Sequence, residues 1–244
     1  KLSEILNNNY EHILKHLNKN TSIERIHPEG RKLSFEIADK INSLNLDGVY
    51  LLKESKRNYP YNNLLSHVLG YVGIDNQGLS GIELAYDEYL KGEDGSIKYY
   101  SDGFGKKLEK ATVYNSPQSG MNVALTIDIN IQQAIENELD NVVTKYNPEQ
   151  ALIVVANPKT GEIYGMSSRP NFNPNEYNKY DLETINRNLP IFNTYEPGST
   201  FKVISLASSI QEKTINLFED KYFDSGSINV SGSRIKCWKH GGHG

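Results

Sequence analysis

The sequence predicts two domains in series, an α+β module followed by an α/β region, and three observations carry that expectation. At 244 residues and 27.6 kDa the chain has room for two ordinary domains. Ser116-Pro-Gln-Ser-Gly120 has the composition of a linker and places the boundary between residues 118 and 119. Before it, short helical patterns alternate with a strand pattern and a polar hairpin; after it, a strand, a long helix, an apolar hairpin and another helix follow one another.

The first elements read as one or two short helices through Leu2, Ile5, Leu6, Ile13, Leu14 and Leu17, interrupted by Asn7-Asn8-Asn9. Pro28-Glu-Gly30 precedes a clearer helix with Leu33, Ile37, Ala38, Ile41 and Leu44 on one face. Asp47-Gly48 turns into a strand over Val49–Lys53. Leu64, Leu65, Val68 and Leu69 fit a short helix, and Leu79–Leu90 a second one. His67 falls on an apolar face with no second ligand type beside it and reads as a structural histidine; Asp75 and Glu83 read as a cap and a surface charge. Gly95–Asn115 reads as a polar hairpin with turns at Gly103 and Gly105.

In the second half, Asn122–Ile127 alternates as a strand, and Asp128 is placed to cap a long helix whose Ile131, Ile135, Leu139, Val142 and Tyr146 face inward. Ala151–Ala156 and Glu162–Ser167 form a hairpin about the turn Asn157-Pro-Lys-Thr-Gly161. The unbroken run Ala-Leu-Ile-Val-Val-Ala predicts a central strand covered on both faces, one of them by the helix after Ser199. A long polar loop from Arg169 runs almost to that helix.

Composition narrows the function. Hydrophobic residues make up 37% and mean hydropathy is −0.57, but 16 tyrosines and 7 phenylalanines supply bulk for a core. With 26 basic against 30 acidic residues, a net charge of −4 and no Lys/Arg block, nucleic acid is not the expected partner. No run reaches the roughly eighteen apolar residues that span a bilayer, and no signal peptide is visible. The start at Lys1 without Met and the abrupt Gly241-Gly-His-Gly244 read as a fragment of a longer chain.

The chemistry concentrates at Tyr195-Glu-Pro-Gly-Ser-Thr-Phe-Lys202. Pro197 and Gly198 break any preceding element, and Val203, Leu206, Ala207 and Ile210 then recur at helical spacing, so a buried amphipathic helix is expected to start near Ser199. Ser199 and Lys202, three apart, share one face of its first turn. A hydroxyl needs a base beside it to become a nucleophile, and a lysine can serve. The pattern fits a serine acyl-transfer site, and equally an N-cap serine followed by a solvated lysine. Ser233-Arg-Ile-Lys236 also spells S-x-x-K, but its glycine-rich setting offers no apolar helix, so that match is read as coincidence.

Cys237-Trp-Lys-His240-Gly-Gly-His243 places a thiol and two imidazoles within seven residues, and the glycines let all three face one point. Zn²⁺ favours such a mixture, with Asp224 or a water completing a tetrahedron around a structural ion. The other reading of Cys237, the single cysteine, is a free thiol.

With these pieces in order the chain resembles the class B penicillin-binding proteins, the monofunctional transpeptidases that cross-link peptidoglycan. Leu69-Gly-Tyr-Val-Gly-Ile-Asp75 followed by Gly78-Leu-Ser-Gly-Ile-Glu-Leu-Ala-Tyr-Asp87 is similar to the family's pedestal domain. Leu125-Thr-Ile-Asp128 and Val155-Ala-Asn-Pro-Lys-Thr-Gly-Glu-Ile-Tyr164 resemble the opening of its transpeptidase domain, and Tyr195–Lys202 its nucleophile motif. The resemblance covers most of the chain from Asn58 on and implies an α+β pedestal over residues 1–118, then the first part of an α/β serine transpeptidase domain over 119–244.

It implies that Ser199 is acylated by a D-Ala-D-Ala stem peptide, that Lys202 takes its proton, and that the backbone N–H of Ser199 is half of an oxyanion hole. It also implies β-lactams as substrate mimics, no cofactor for catalysis, a membrane glycosyltransferase partner, and a membrane anchor upstream on the extracytoplasmic side. The family's S-x-N and K-[ST]-G motifs are not found after the nucleophile. Ser227-Ile-Asn229 comes too early, Lys159-Thr-Gly161 is a hairpin turn ahead of it, and both motifs are expected beyond Gly244. A Gly-His-Gly near the active site is a feature of the wider family, where it need not bind metal. The rival readings are a β-lactamase or β-lactam sensor sharing the nucleophile motif, against which the pedestal-like segment argues, and a non-catalytic cell-wall scaffold.

Overall fold

The computed structural model describes residues 1–101 and 107–244, which divide into two compact units, Lys1–Asn193 and Thr194–Gly244. The expected turns at Gly103 and Gly105 lie outside the described residues.

The first unit opens with helices α1 (Leu2–Ile5), α2 (Tyr10–Leu17) and α3 (Phe35–Ser43). Asn9 caps α2 by accepting from the backbone of Glu11, and Ser34 caps α3 by accepting from Ile37. Leu2, Ile13 and Ile41 form a small core, joined by Ile5, Leu6, Ile26, Leu33, Ile37, Leu44 and Val49. The expected strand at Val49–Lys53 does not form. Val49 packs on this core, but no other strand among the described residues pairs with the segment, and Tyr50 and Leu52 are exposed. A strand exists only through its ladder, so a β-like pattern without a partner stays extended coil.

The predicted helices of the middle region shrink. The first is one turn, α4 (Ser66–Leu69), and the second breaks at Tyr86 (φ −119°, ψ 20°) into α5 (Gly81–Ala85) and α6 (Asp87–Leu90). The break lets Asp87 turn its carboxylate back to the N–H of Gly78, at 2.7 Å. Gly70 (φ +76°) is required here, since a Cβ would lie 1.9 Å from the carbonyl oxygen of Ser80. Strands β1 (Ser96–Ser101) and β2 (Lys107–Asn115) then pair antiparallel, Ser96 opposite Asn115.

No strand forms over Asn122–Ile127; the segment meets the next hairpin through two bonds, Thr126 Oγ1 to Ile163 O (2.7 Å) and Asp128 N to Tyr164 O (2.9 Å). Asp128 caps α7 (Ile129–Tyr146) by accepting from Asn130 and Ile131. The inward face of α7 is Gln132, Ile135, Glu136 and Leu139; Tyr146, expected inward, is exposed in the last turn. Strands β3 (Ala151–Ala156) and β4 (Ile163–Arg169) form the expected hairpin, Ala151 opposite Arg169. β3 is not a covered central strand. It pairs only with β4 among the described residues, α7 packs on the hairpin, and Leu152 and Val154 are more than 40% exposed.

The stretch after Arg169 is ordered rather than an open loop. A 3-10 turn at Pro174–Lys179 is followed by α8 (Leu182–Asn186) and α9 (Leu189–Phe192). Apolar residues spaced too irregularly to read as an element build a second core: Phe172 is fully buried with Tyr71 and Ile185, flanked by Tyr177 and Tyr180.

The second unit holds a 3-10 turn at Gly198–Phe201, α10 (Lys202–Gln211), and a hairpin of β5 (Ser227–Val230) and β6 (Ser233–Lys236). The expected burial of the helix after Ser199 is not found: Val203 is 73% exposed, Ile204 55% and Leu206 47%. The apolar side chains of α10 find no cover among the described residues. Ser233 and Lys236 lie on a strand, so the second S-x-x-K does not place its two side chains on one helical face.

Candidate active site and metal-ligand cluster

The turn before α10 is set by Pro197 in the helical region and Gly198 at φ +56°. Thr200 ties it from both ends, its N–H and hydroxyl reaching the Pro197 carbonyl, the hydroxyl at 2.6 Å. Ser199 therefore sits in a 3-10 turn one step ahead of the α-helix, and the regular helix begins at Lys202, whose N–H donates to the Ser199 carbonyl. Both side chains are exposed, and no hydrogen bond joins them among the described residues. The Ser199 N–H donates to no carbonyl there either, so it is available to an incoming oxygen.

The second group is more tightly assembled. Ligand atoms of Asp224, Cys237 and His243 all lie within 4.8 Å of one another. His243 Nδ1 is 2.9 Å from Asp224 Oδ2 and 3.4 Å from Cys237 Sγ. One ring nitrogen thus faces both the thiol and the carboxylate, an arrangement that suits convergence on a cation; a proton relay would use both nitrogens. His240, also expected as a ligand, does not join this group.

Backbone bonds hold the cluster. The N–H of Cys237 donates to Gly226 O (2.9 Å), and Asp224 Oδ1 accepts from the N–H of Gly226 (2.8 Å). Gly242 (φ +79°) is needed because a Cβ would lie 2.0 Å from the Asp224 carbonyl. The His243 contact, then the Gly226 N–H, then the Cys237 thiol hold the Asp224 carboxyl well below the usual carboxylate range.

Several charged residues take roles that the sequence reading missed. Glu83 is 8% exposed, paired with Arg57 through both oxygens at 2.8 Å and accepting from the Tyr59 hydroxyl, whose own pKa burial pushes up. Asp75 is no cap; it pairs with Arg31 at 2.9 Å, beside a close but poorly aligned contact of Arg31 to Glu54. Arg169 spans Glu136 (2.8 Å) and Asp140 (2.7 Å), while Gln132 bonds Glu136 and the backbone of Met166 in both directions. Glu136 also accepts from the N–H of Leu65, and Asn175 bonds the backbone N–H and C=O of Tyr59 (3.0 and 2.8 Å). His67 is the expected structural histidine, its Nε2 2.8 Å from Thr184 O, and burial lowers its pKa. The one local signal was polar Gln132 and Glu136 spaced i, i+4 on the apolar face of α7.

Two family models match the chain: a penicillin-binding protein dimerisation domain over residues 1–125, and a penicillin binding protein transpeptidase domain over residues 151–244. Stage V sporulation protein D of Bacillus subtilis (strain 168) is 51% identical across 100% of this chain, which spans 38% of that relative. Peptidoglycan D,D-transpeptidase FtsI of Escherichia coli (strain K12) is 31% identical across 84% of this chain, matching 34% of its length. The crystal structure of a peptidoglycan synthetase from Bifidobacterium adolescentis aligns with TM-score 0.67 at 23% identity, covering 98% of this chain and 42% of that one. Penicillin Binding Protein 2X from Streptococcus thermophilus aligns with TM-score 0.59, also at 23%, covering 97% and 37%; these two show the shared fold.

Proposed function

The chain belongs to the class B penicillin-binding proteins, and from that premise we propose that the protein containing it is a serine peptidoglycan D,D-transpeptidase. The observation that carries the reading is Ser199 in a 3-10 turn closed by Thr200 on the Pro197 carbonyl, with a free backbone N–H and Lys202 one turn on.

Ser199 Oγ attacks the carbonyl between the two D-alanines of a stem peptide, and Lys202 accepts the hydroxyl proton. The tetrahedral oxyanion leans on the Ser199 N–H, the last D-Ala leaves, and an amine from a neighbouring stem takes the acyl group. β-Lactams acylate the same oxygen. The name of the relative at 51% identity favours a role in sporulation. We place the domain boundary at 118/119, the protein on the extracytoplasmic face of the cell membrane, and a membrane glycosyltransferase among its partners.

The carboxylate, thiol and imidazole of Asp224, Cys237 and His243 suit Zn²⁺, with His240 as the fourth ligand. For His240 to join, the Lys239–Gly242 turn, closed by the Gly242 N–H on the Lys239 carbonyl at 3.1 Å, has to open. A zinc ion here would pin the turn at Asp224–Gly226 to the Cys237–Gly244 segment, adding folding free energy and no catalytic step.

The test is a fluorescent penicillin on the full-length protein, followed by intact mass. A long-lived adduct on wild type that is absent from Ser199→Ala supports the transpeptidase. A rapidly hydrolysed adduct points to a β-lactamase, and no adduct in folded, zinc-loaded protein points to a scaffold.

A further inference from the structure

The N-terminal helices hold a histidine between two alternative partners. His12 on α2 has its Nδ1 3.2 Å from the side-chain nitrogen of Asn8. An amide nitrogen can only donate, so Nδ1 accepts and His12 is neutral in this arrangement. The same Nδ1 faces Glu29 Oε2 at 3.7 Å, too far for a hydrogen bond. That carboxylate oxygen is shut off from solvent and has no hydrogen-bond partner. With its one lone pair taken by Asn8, Nδ1 offers that oxygen no proton, and a buried acceptor is left unmet, which is costly.

One proton on Nδ1 relieves both. We propose that His12 and Glu29 are a proton-operated latch. On acidification His12 takes a proton from solvent, lets go of Asn8, and donates to Glu29 Oε2, drawing the turn at Ile26–Arg31 onto α2.

The surroundings favour a discrete change. The turn is closed by a backbone bond from the N–H of Arg31 to Pro28 O at 3.0 Å, and it is tight at Gly30, where a Cβ would meet the Ile26 carbonyl at 2.6 Å. Ile26 packs on the core that Ile13 of α2 shares with Leu2 and Ile41, which anchors one end of the turn near the helix. His16 lies edge-on at 5.1 Å and is matched by Glu24 at 2.7 Å, which also takes Lys19 at 2.5 Å. Glu4 of α1 is 84% exposed, and neither it nor α3 forms an ion pair with His12 among the described residues. Glu29 is therefore the acid that faces His12 unmatched. The latch is independent of the transpeptidase reading.

Hydrogen exchange of the full-length protein, compared at pH 7.5 and 5.5 after correction for intrinsic chemistry, tests it. The turn at residues 26–31 is expected to exchange at least about threefold more slowly at pH 5.5 in wild type. His12→Gln and Glu29→Gln should abolish that gain; Asn8→Ala and Glu24→Gln should keep it. Glu29→Gln preserves side-chain shape, so it carries the test if His12→Gln fails to fold. No slowing in wild type, or the same slowing in Glu29→Gln, overturns the proposal.

Discussion

Replacing Arg169 with Met is the sharpest test of how the first unit is held together. The guanidinium is about nine-tenths buried and makes five kinds of contact: Glu136 carboxylate, Glu136 carbonyl, Asp140, the Ser168 carbonyl and the Ser167 hydroxyl. Asp140 is 67% exposed and regains water, so that pair contributes about 0–1 kcal/mol. Glu136 is only 10% exposed and cannot. Met leaves its charge buried with two neutral donors, Gln132 Nε2 and the Leu65 N–H. Breaking such a pair from one side costs roughly 3–5 kcal/mol.

For a unit of this size that corresponds to a fall in Tm of about 2–4 °C per kcal/mol, on the order of 6–20 °C. Thermal unfolding followed by circular dichroism reads it directly. Glu136→Gln keeps an acceptor for Leu65 while removing the charge, so Arg169→Met with Glu136→Gln should be less destabilised than the sum of the singles, by about 1 kcal/mol or more. A loss below about 1 kcal/mol for Arg169→Met, or strict additivity in the double mutant, would refute the view that a buried charge pair clamps Leu65 to α7 and β4.

Two further outcomes follow from the same contacts. Burial holds His67 neutral in the folded state, whereas the unfolded chain takes up a proton near pH ~6.5. Its contribution is therefore present above that pH and lost as pH falls, and His67→Gln, which can still donate to Thr184 O, should flatten the decline in Tm between pH 7 and 5. Gly242→Ala should push the chain off Asp224, since a Cβ would lie 2.0 Å from its carbonyl; on the proposed zinc reading, zinc bound per chain, measured by elemental analysis, should fall about tenfold or more, and unchanged zinc content would remove Gly242 from the clasp.

What the sequence determined by itself was local. Asp128 heads α7 because a carboxylate one residue before a helix meets its free N–H groups, and Asn157 to Gly161 turns the β3–β4 hairpin through bonds four or five residues apart. Ser199 and Lys202 share a turn because helical spacing requires it, and the Cys237–His243 glycines allowed a cluster to be foreseen. The tertiary structure decided what depends on distant partners. Val49–Lys53 and Asn122–Ile127 have strand patterns but no ladder, because pairing is a property of two segments. Glu83 became buried because Arg57 and Tyr59 arrive from more than twenty residues away to neutralise and cap it. Asp224 joins Cys237 and His243 while His240 stays out, since which of two nearby imidazoles turns inward is set by the backbone bonds of Gly226, Cys237 and Gly242. Spacing along a chain states which side chains can share a face; only the packed structure states which of them meet.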